Sequence, residues 1–115
     1  MILDKKFSKK CIEQNLLLLE KGLLIQSFGN SSIRINKNYF IIKPSGVNLK
    51  SLKTNDIPLI RISDGKIFTN KFKPSVDTPI HHQIYKNFTE INSISHTHSK
   101  FASSWAQTGK NIPIL

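Results

Sequence analysis

One amphipathic helical stretch, followed by short β-like runs that each end at a turn signal, most narrows what this chain can fold into. Ile12, Leu16, Leu19 and Leu23 recur at helical spacing, with Glu13, Glu20 and Lys21 largely on the other face. Residues 5–22 therefore read as a helix that Gly22 stops. Strands follow at 32–35, Tyr39–Ile42, 57–62 and 66–68, separated by Asn36-Lys37-Asn38, Pro44-Ser45-Gly46 and Asp64-Gly65. Asp64-Gly65 between apolar runs predicts a hairpin, which makes the sheet at least partly antiparallel. A second helix begins near Thr78, because a residue before proline is pushed out of the α region; Thr78 suits the N-cap and Pro79 the first helical position. Ile80, Ile84, Tyr85 and Phe88 would form its buried side. Residues 91–98 read as a strand, and residues 99 to about 107 as a third helix ended by Gly109 and Pro113.

Length allows one hydrophobic core and not two: 115 residues make at most one domain. Charged residues are 21% and apolar residues 38%, as in a globular rather than a disordered chain. The apolar run Leu16 to Leu19 is far too short to span a bilayer, and no secretory cleavage pattern precedes it. Cys11, the single cysteine, excludes an internal disulfide and fits a reducing compartment, so a cytoplasmic location is expected, without membrane contact. A net charge of +10 invites a nucleic-acid reading. Against it, the lysines are scattered, run no longer than two together and do not alternate with aromatic residues, so no nucleic-acid partner is expected. The chain stops at Ile114-Leu115, which has the character of another apolar element opening, and the expectation is a truncated domain.

His96-Thr97-His98 is the sharpest chemical feature. Residues two apart on a strand share a face, so both imidazoles reach one ion, and neutral imidazole suits zinc and similar divalent metals. A His-x-His pair alone reads more often as two surface or packing histidines. Asp77 stands just outside the second helix, where a carboxylate either meets backbone N–H groups or turns to a metal; the plain reading is a favourable charge at a helix start. Two loops suit an anion. Phe28-Gly29-Asn30-Ser31-Ser32 joins a permissive glycine to an amide and hydroxyls, and Lys43-Pro44-Ser45-Gly46 offers a cation, a hydroxyl and backbone N–H groups. Each is also an ordinary turn, and neither fits the P-loop or the dinucleotide fingerprint. His81 and His82 are adjacent on a helix, diverge by about 100°, and read as surface or packing residues.

In order along the chain, these segments resemble the class II aldolase family, also called the aldolase/adducin family. The resemblance runs from the first helix to Pro113. It is carried by Gly29-Asn30, Lys43-Pro44-Ser45-Gly46-Val47, Pro74-Ser75-Val76-Asp77-Thr78-Pro79, His96-Thr97-His98-Ser99, Trp105-Ala106-Gln107 and Ile112-Pro113. Within the family the pattern is similar to the L-ribulose-5-phosphate 4-epimerase branch. The fuculose-phosphate aldolase branch carries a catalytic glutamate in place of Asp77 and Asn between its two histidines.

The resemblance implies an α/β fold of three layers, α/β/α, with a mixed, mainly antiparallel sheet between helices, of which residues 1–115 would be the amino-terminal part of a single domain. It implies a divalent metal, normally zinc, held by Asp77, His96 and His98, and a substrate and its phosphate held by Gly29, Asn30, Ser45, Gly46, Ser75 and Val76. Val76 departs from the family, which usually has a second serine there. The later metal histidine, the catalytic aspartate and a carboxy-terminal tyrosine have no counterpart here, so no catalytic acid or base is assigned to this chain and the chain alone is expected to be inactive. The implied activity is interconversion of L-ribulose 5-phosphate and D-xylulose 5-phosphate by carbon–carbon cleavage and re-formation, in a homotetramer. Alternatives are a class II aldolase acting on another sugar phosphate and a non-catalytic module like the adducin head.

Overall fold

The computed structural model describes residues 4–25 and 28–114. Helix α1 (Lys5–Glu20) opens the chain, with the Asp4 carboxylate accepting from Lys6 N at 2.9 Å. Gly22 ends it at a φ of +71°, its N–H donating to the Leu19 carbonyl. Strands β1 (Asn30–Arg34), β2 (Tyr39–Ile42), β3 (Leu59–Arg61), β4 (Ile67–Phe68) and β5 (Ser93–His96) form one sheet in the order β4-β3-β2-β1-β5. Every pairing among them is antiparallel. Single-turn 3-10 helices lie at Leu49–Ser51 and Thr54–Asp56, α2 spans Thr78–Asn87, and α3 spans Lys100–Thr108. No described helix is long and apolar enough to cross a membrane.

Side-chain alternation along the strands builds two cores. Phe40, Ile42, Ile60, Ile62 and Tyr85 pack on the α2 side, with the Phe40 and Tyr85 rings 4.7 Å apart. Cys11, Ile41, Ile57 and Leu59 pack on the α1 side. Burial pushes the Cys11 thiol up to about 12, opposed by a hydrogen bond from Asn15. α3 has no buried residue, and Phe101 lies open.

Several expectations shift. The buried residues of α1 are Ser8, Cys11 and Asn15, while Ile12, Leu16, Leu19 and Leu23 are only half-buried. The reason is a polar clamp: Ser31 N donates to Asn15 Oδ1 at 2.8 Å, and Asn15 Nδ2 donates back to the Ser31 carbonyl at 3.2 Å. On α2 the buried side is Thr78, His81 and Tyr85, whereas Ile80 and Phe88 are exposed. Asp77, not Thr78, is the residue that caps this helix, and it makes no side-chain cap bond. β5 is shorter than 91–98 because its partner β1 begins at Asn30, opposite His96. The hairpin forms at Asp64-Gly65: Gly65 takes a φ of +75°, and Arg61 N donates across the turn to the Lys66 carbonyl at 2.9 Å. Leu115 lies outside the described residues.

Candidate active site

Three loops and one strand end meet at the β1/β5 edge of the sheet, next to the start of α2. They enclose a cleft of about 140 Å³ lined by Phe28, Gly29, Asn30, Lys43, Ser45, Ser75, Val76, Asp77, His96 and His98. The backbone ties that draw the loops together are short. Ser75 N donates to the Lys43 carbonyl at 2.9 Å, and Ser45 N donates to the Lys73 carbonyl at 2.8 Å, on either side of a bridge between Pro44 and Pro74. Gly29 turns into β1 at a φ of +91°, a conformation that glycine adopts without a Cβ penalty.

Asp77 is the hub. Its Oδ2 accepts from Asn30 Nδ2 at 2.7 Å and lies 2.6 Å from His96 Nδ1. Burial alone would raise its pKa, but the Asn30 and His96 hydrogen bonds outweigh burial and hold the carboxyl below its ordinary value. An ionised carboxylate only accepts, so His96 donates from Nδ1, and in the neutral ring the lone pair on Nε2 is then left for another group. The His98 ring lies 5.0 Å from the His96 ring, on the same side of the strand end, and its other neighbour is Phe28 at 5.9 Å.

Asn30 is itself constrained. It sits opposite His96 in the β1–β5 register, and Nδ2 also donates to Ser75 Oγ at 2.8 Å. Both amide hydrogens are thus committed within the protein, while the buried Oδ1 has no partner. Ser75, accepting from Asn30, keeps its own hydroxyl proton to donate. Lys43 is 3% exposed, and burial lowers the pKa of its ammonium; among the described residues no carboxylate lies within 4.0 Å of it.

The sequence-derived site residues Gly29, Asn30, Ser45, Ser75, Val76, Asp77, His96 and His98 share this cleft; Gly46 instead lines a separate depression with Val47, Asn48 and Lys53. Asp77, His96 and His98 do not form a closed ligand set: no group of three His, Cys, Asp or Glu among the described residues is placed to hold a metal ion. The carboxylate is spent on the imidazole. That arrangement still fits a divalent metal, since an imidazole oriented by a carboxylate through one nitrogen presents the other as a ligand, and a second imidazole stands beside it. Lys43, offered by the sequence only as the cation of a possible anion loop, and Phe28, the neighbour of His98, both line the cleft, although the resemblance gave neither a substrate or metal role.

The family model described as Class II Aldolase and Adducin N-terminal domain matches residues 9–115. The chain belongs to the class II aldolase and adducin family. A relative in Mycoplasma pneumoniae, named a probable L-ribulose-5-phosphate 4-epimerase, UlaF, is 43% identical over 116 residues, covering 100% of this chain and 47% of its own length. Among solved structures, an L-fuculose 1-phosphate aldolase superposes with a TM-score of 0.81 at 25% identity over 91% of this chain and 50% of that one. A sugar-phosphate aldolase from Thermotoga maritima shares the fold, with a TM-score of 0.73 at 21% identity over 90% of this chain and 57% of its own. The chain thus spans about half the length of these class II aldolase relatives.

Proposed function

We propose that this chain is the amino-terminal part of a single class II aldolase-like domain whose protein epimerises L-ribulose 5-phosphate and D-xylulose 5-phosphate. The observation that carries the reading is the cleft itself: segments far apart in sequence bring a carboxylate–imidazole pair, a second imidazole and a buried lysine to one place. The 43% identity to the probable epimerase of Mycoplasma pneumoniae supports the choice of reaction.

Each part of the cleft has a task in this reading. Lys43, Ser45 and the Ser75 hydroxyl hold the substrate phosphate, with the backbone of Gly29 and Val76 beside them. Fixing the phosphate keeps the aldehyde fragment in place while its carbonyl turns to present the other face. Asn30 orients Asp77 and Ser75 through its amide, and Asp77 orients His96. His96 and His98, with the Asp77 carboxylate nearby, would hold a divalent cation such as Zn2+. When bound, such an ion supplies Lewis-acid stabilisation of charge on the substrate oxygens, worth several kcal/mol. The compartment in this reading is cytoplasmic and the assembly homotetrameric.

A zinc titration of the chain, followed by L-ribulose 5-phosphate, tests the reading. Wild type binds both, Asp77→Asn and His96→Ala lose zinc, and Lys43→Met loses the sugar phosphate; a wild-type chain that takes up neither ends the proposal. A coupled assay for D-xylulose 5-phosphate, on the chain and on any longer protein containing it, tests the reaction. A second reading, an aldolase cleaving another ketose phosphate, is favoured by the superposition on L-fuculose 1-phosphate aldolase. Carbon–carbon cleavage of L-fuculose 1-phosphate without epimerisation would select it.

A further inference from the structure

Asn30, Ser32 and Arg34 project from β1 to the same side of the sheet, and each holds a different part of α2. Asn30 holds Ser75 and Asp77 just ahead of the helix. Ser32 Oγ lies 2.6 Å from His81 Nδ1 and 2.8 Å from Tyr85 OH, in the body of the helix. Arg34 Nη2 donates to the carbonyls of Tyr85 at 2.8 Å and Phe88 at 3.1 Å, where the helix ends, and its guanidinium lies 4.9 Å over the Tyr85 ring. Ser32, His81 and Tyr85 are all 1% exposed or less.

A helix that needed only to adhere to a sheet would present aliphatic side chains here. Apolar packing is non-directional, and replacing both partners of a buried polar pair by apolar groups of the same shape costs little. Hydrogen bonds of this length instead fix direction and register. The site requires such register. His96 rides on β5, which is set against β1 by the pairing of His96 with Asn30, while Asp77 rides on the start of α2. The 2.6 Å contact between them persists only if α2 is held along β1 as firmly as β5 is. We infer that Ser32, His81 and Tyr85 form a positioning network that sets α2 along β1 and thereby places the Asp77 carboxylate against His96. The importance of that contact for metal binding rests on the function proposed above; its geometry does not.

The test compares Ser32→Ala, Tyr85→Phe and Ser32→Thr with Ile60→Val, which thins the same core cluster without touching a hydroxyl. Tyr85→Phe keeps the ring against Phe40, so it carries the test if Ser32→Ala fails to fold. The readouts are the His96 Nδ1–H line in imidazole NMR spectra of the metal-free chain, zinc affinity by calorimetry, and Tm. Ser32→Ala and Tyr85→Phe should broaden or shift that line and weaken zinc binding about tenfold, in the range for partners that orient a metal-bound imidazole. Ser32→Thr should restore both, and Ile60→Val should lower Tm with the line unmoved. An unchanged His96 line in both hydroxyl deletions, or an equal loss in Ile60→Val, overturns the inference. A wild-type chain that shows the line but binds no zinc would refute the metal reading, and the NMR comparison would still decide the network.

Discussion

Replacing Gly29 by alanine tests how tightly the site is built. Two costs add. At a φ of +91° an L side chain meets its own backbone, at about 1–2 kcal/mol. The new Cβ would also stand 2.5 Å from Leu24 Cδ2 and 3.0 Å from the His96 carbonyl oxygen. Leu24 is buried but can change rotamer. The His96 carbonyl belongs to a strand paired with β1 and yields only if β5 shifts. Forcing extra atoms into a packed site costs about 1–3 kcal/mol. The sum, about 2–5 kcal/mol, is a large part of the stability of an ordinary domain. Gly22→Ala is the control, since Gly22 has a φ of +71° and nothing within 4 Å of the new Cβ, so only the backbone cost of about 1–2 kcal/mol remains. Urea unfolding at neutral pH measures both. Equal losses for the two variants would refute the claim that the His96 carbonyl packs against Gly29; a larger loss at Gly29, accompanied by weaker zinc binding, would support it.

Acid should destabilise the chain through His81, whose pKa falls from 6.5 to about 4 chiefly by burial, with Asp77 opposing and His96 adding to the shift. A depressed histidine favours the native state above the unfolded pKa. That stability is lost as pH falls from about 6.5 towards 4, at up to about 1.4 kcal/mol per pH unit. Unfolding curves across that window should slope, and His81→Gln should flatten them; equal slopes would be incompatible with a buried neutral imidazole. Val76→Ser should strengthen phosphate binding about two- to tenfold, one hydrogen bond's worth, and leave Tm unchanged because Val76 is 80% exposed. Calorimetry with inorganic phosphate reads this, and a fall in Tm without tighter binding would contradict the placement of that side chain. Cys11 should resist a thiol reagent at mildly alkaline pH until denaturant is added, because burial suppresses the thiolate. Rapid labelling of the folded chain would show that α1 opens.

Sequence carried the elements further than their faces. The glycine stop of α1, the Asp64-Gly65 hairpin and the start of α2 beside Pro79 were legible because each rests on local backbone chemistry. The inward side of α2 was not. Hydrophobic periodicity assigned Ile80 and Phe88 to the core, but β1 presents Asn30, Ser32 and Arg34 to this helix, and polar side chains met by polar partners leave no apolar signal. The same reason hid the Asn15 clamp of α1. In the site, alternation placed His96 and His98 on one side, and family motifs grouped the loops. No sequence rule indicated that Asp77 would be engaged by Asn30 and His96 rather than by the N–H groups of its own helix. That choice depends on β1 and β5 meeting in a register that only the folded sheet defines.

The same distinction between local and assembled properties explains the charge. A formal +10 spread over scattered lysines does little, because exposed charges act through water and counter-ions. A lysine that lines the cleft acts differently. A unit charge 4 Å from a phosphate oxygen is worth about 1 kcal/mol in bulk water and about 4 kcal/mol at the effective dielectric near a protein surface. Lys43 is almost fully buried and has no carboxylate partner among the described residues, while the nearest negative charge in the cleft, Asp77, is already engaged by Asn30 and His96. Among the described residues, therefore, no carboxylate neutralises the Lys43 charge. Burial disfavours that charge, as the lowered pKa of Lys43 shows, and an anion arriving in the cleft would relieve the cost. In the function proposed here, a preference for a phosphorylated ligand would follow from where one lysine sits, and would survive if most of the surface lysines were changed to glutamine.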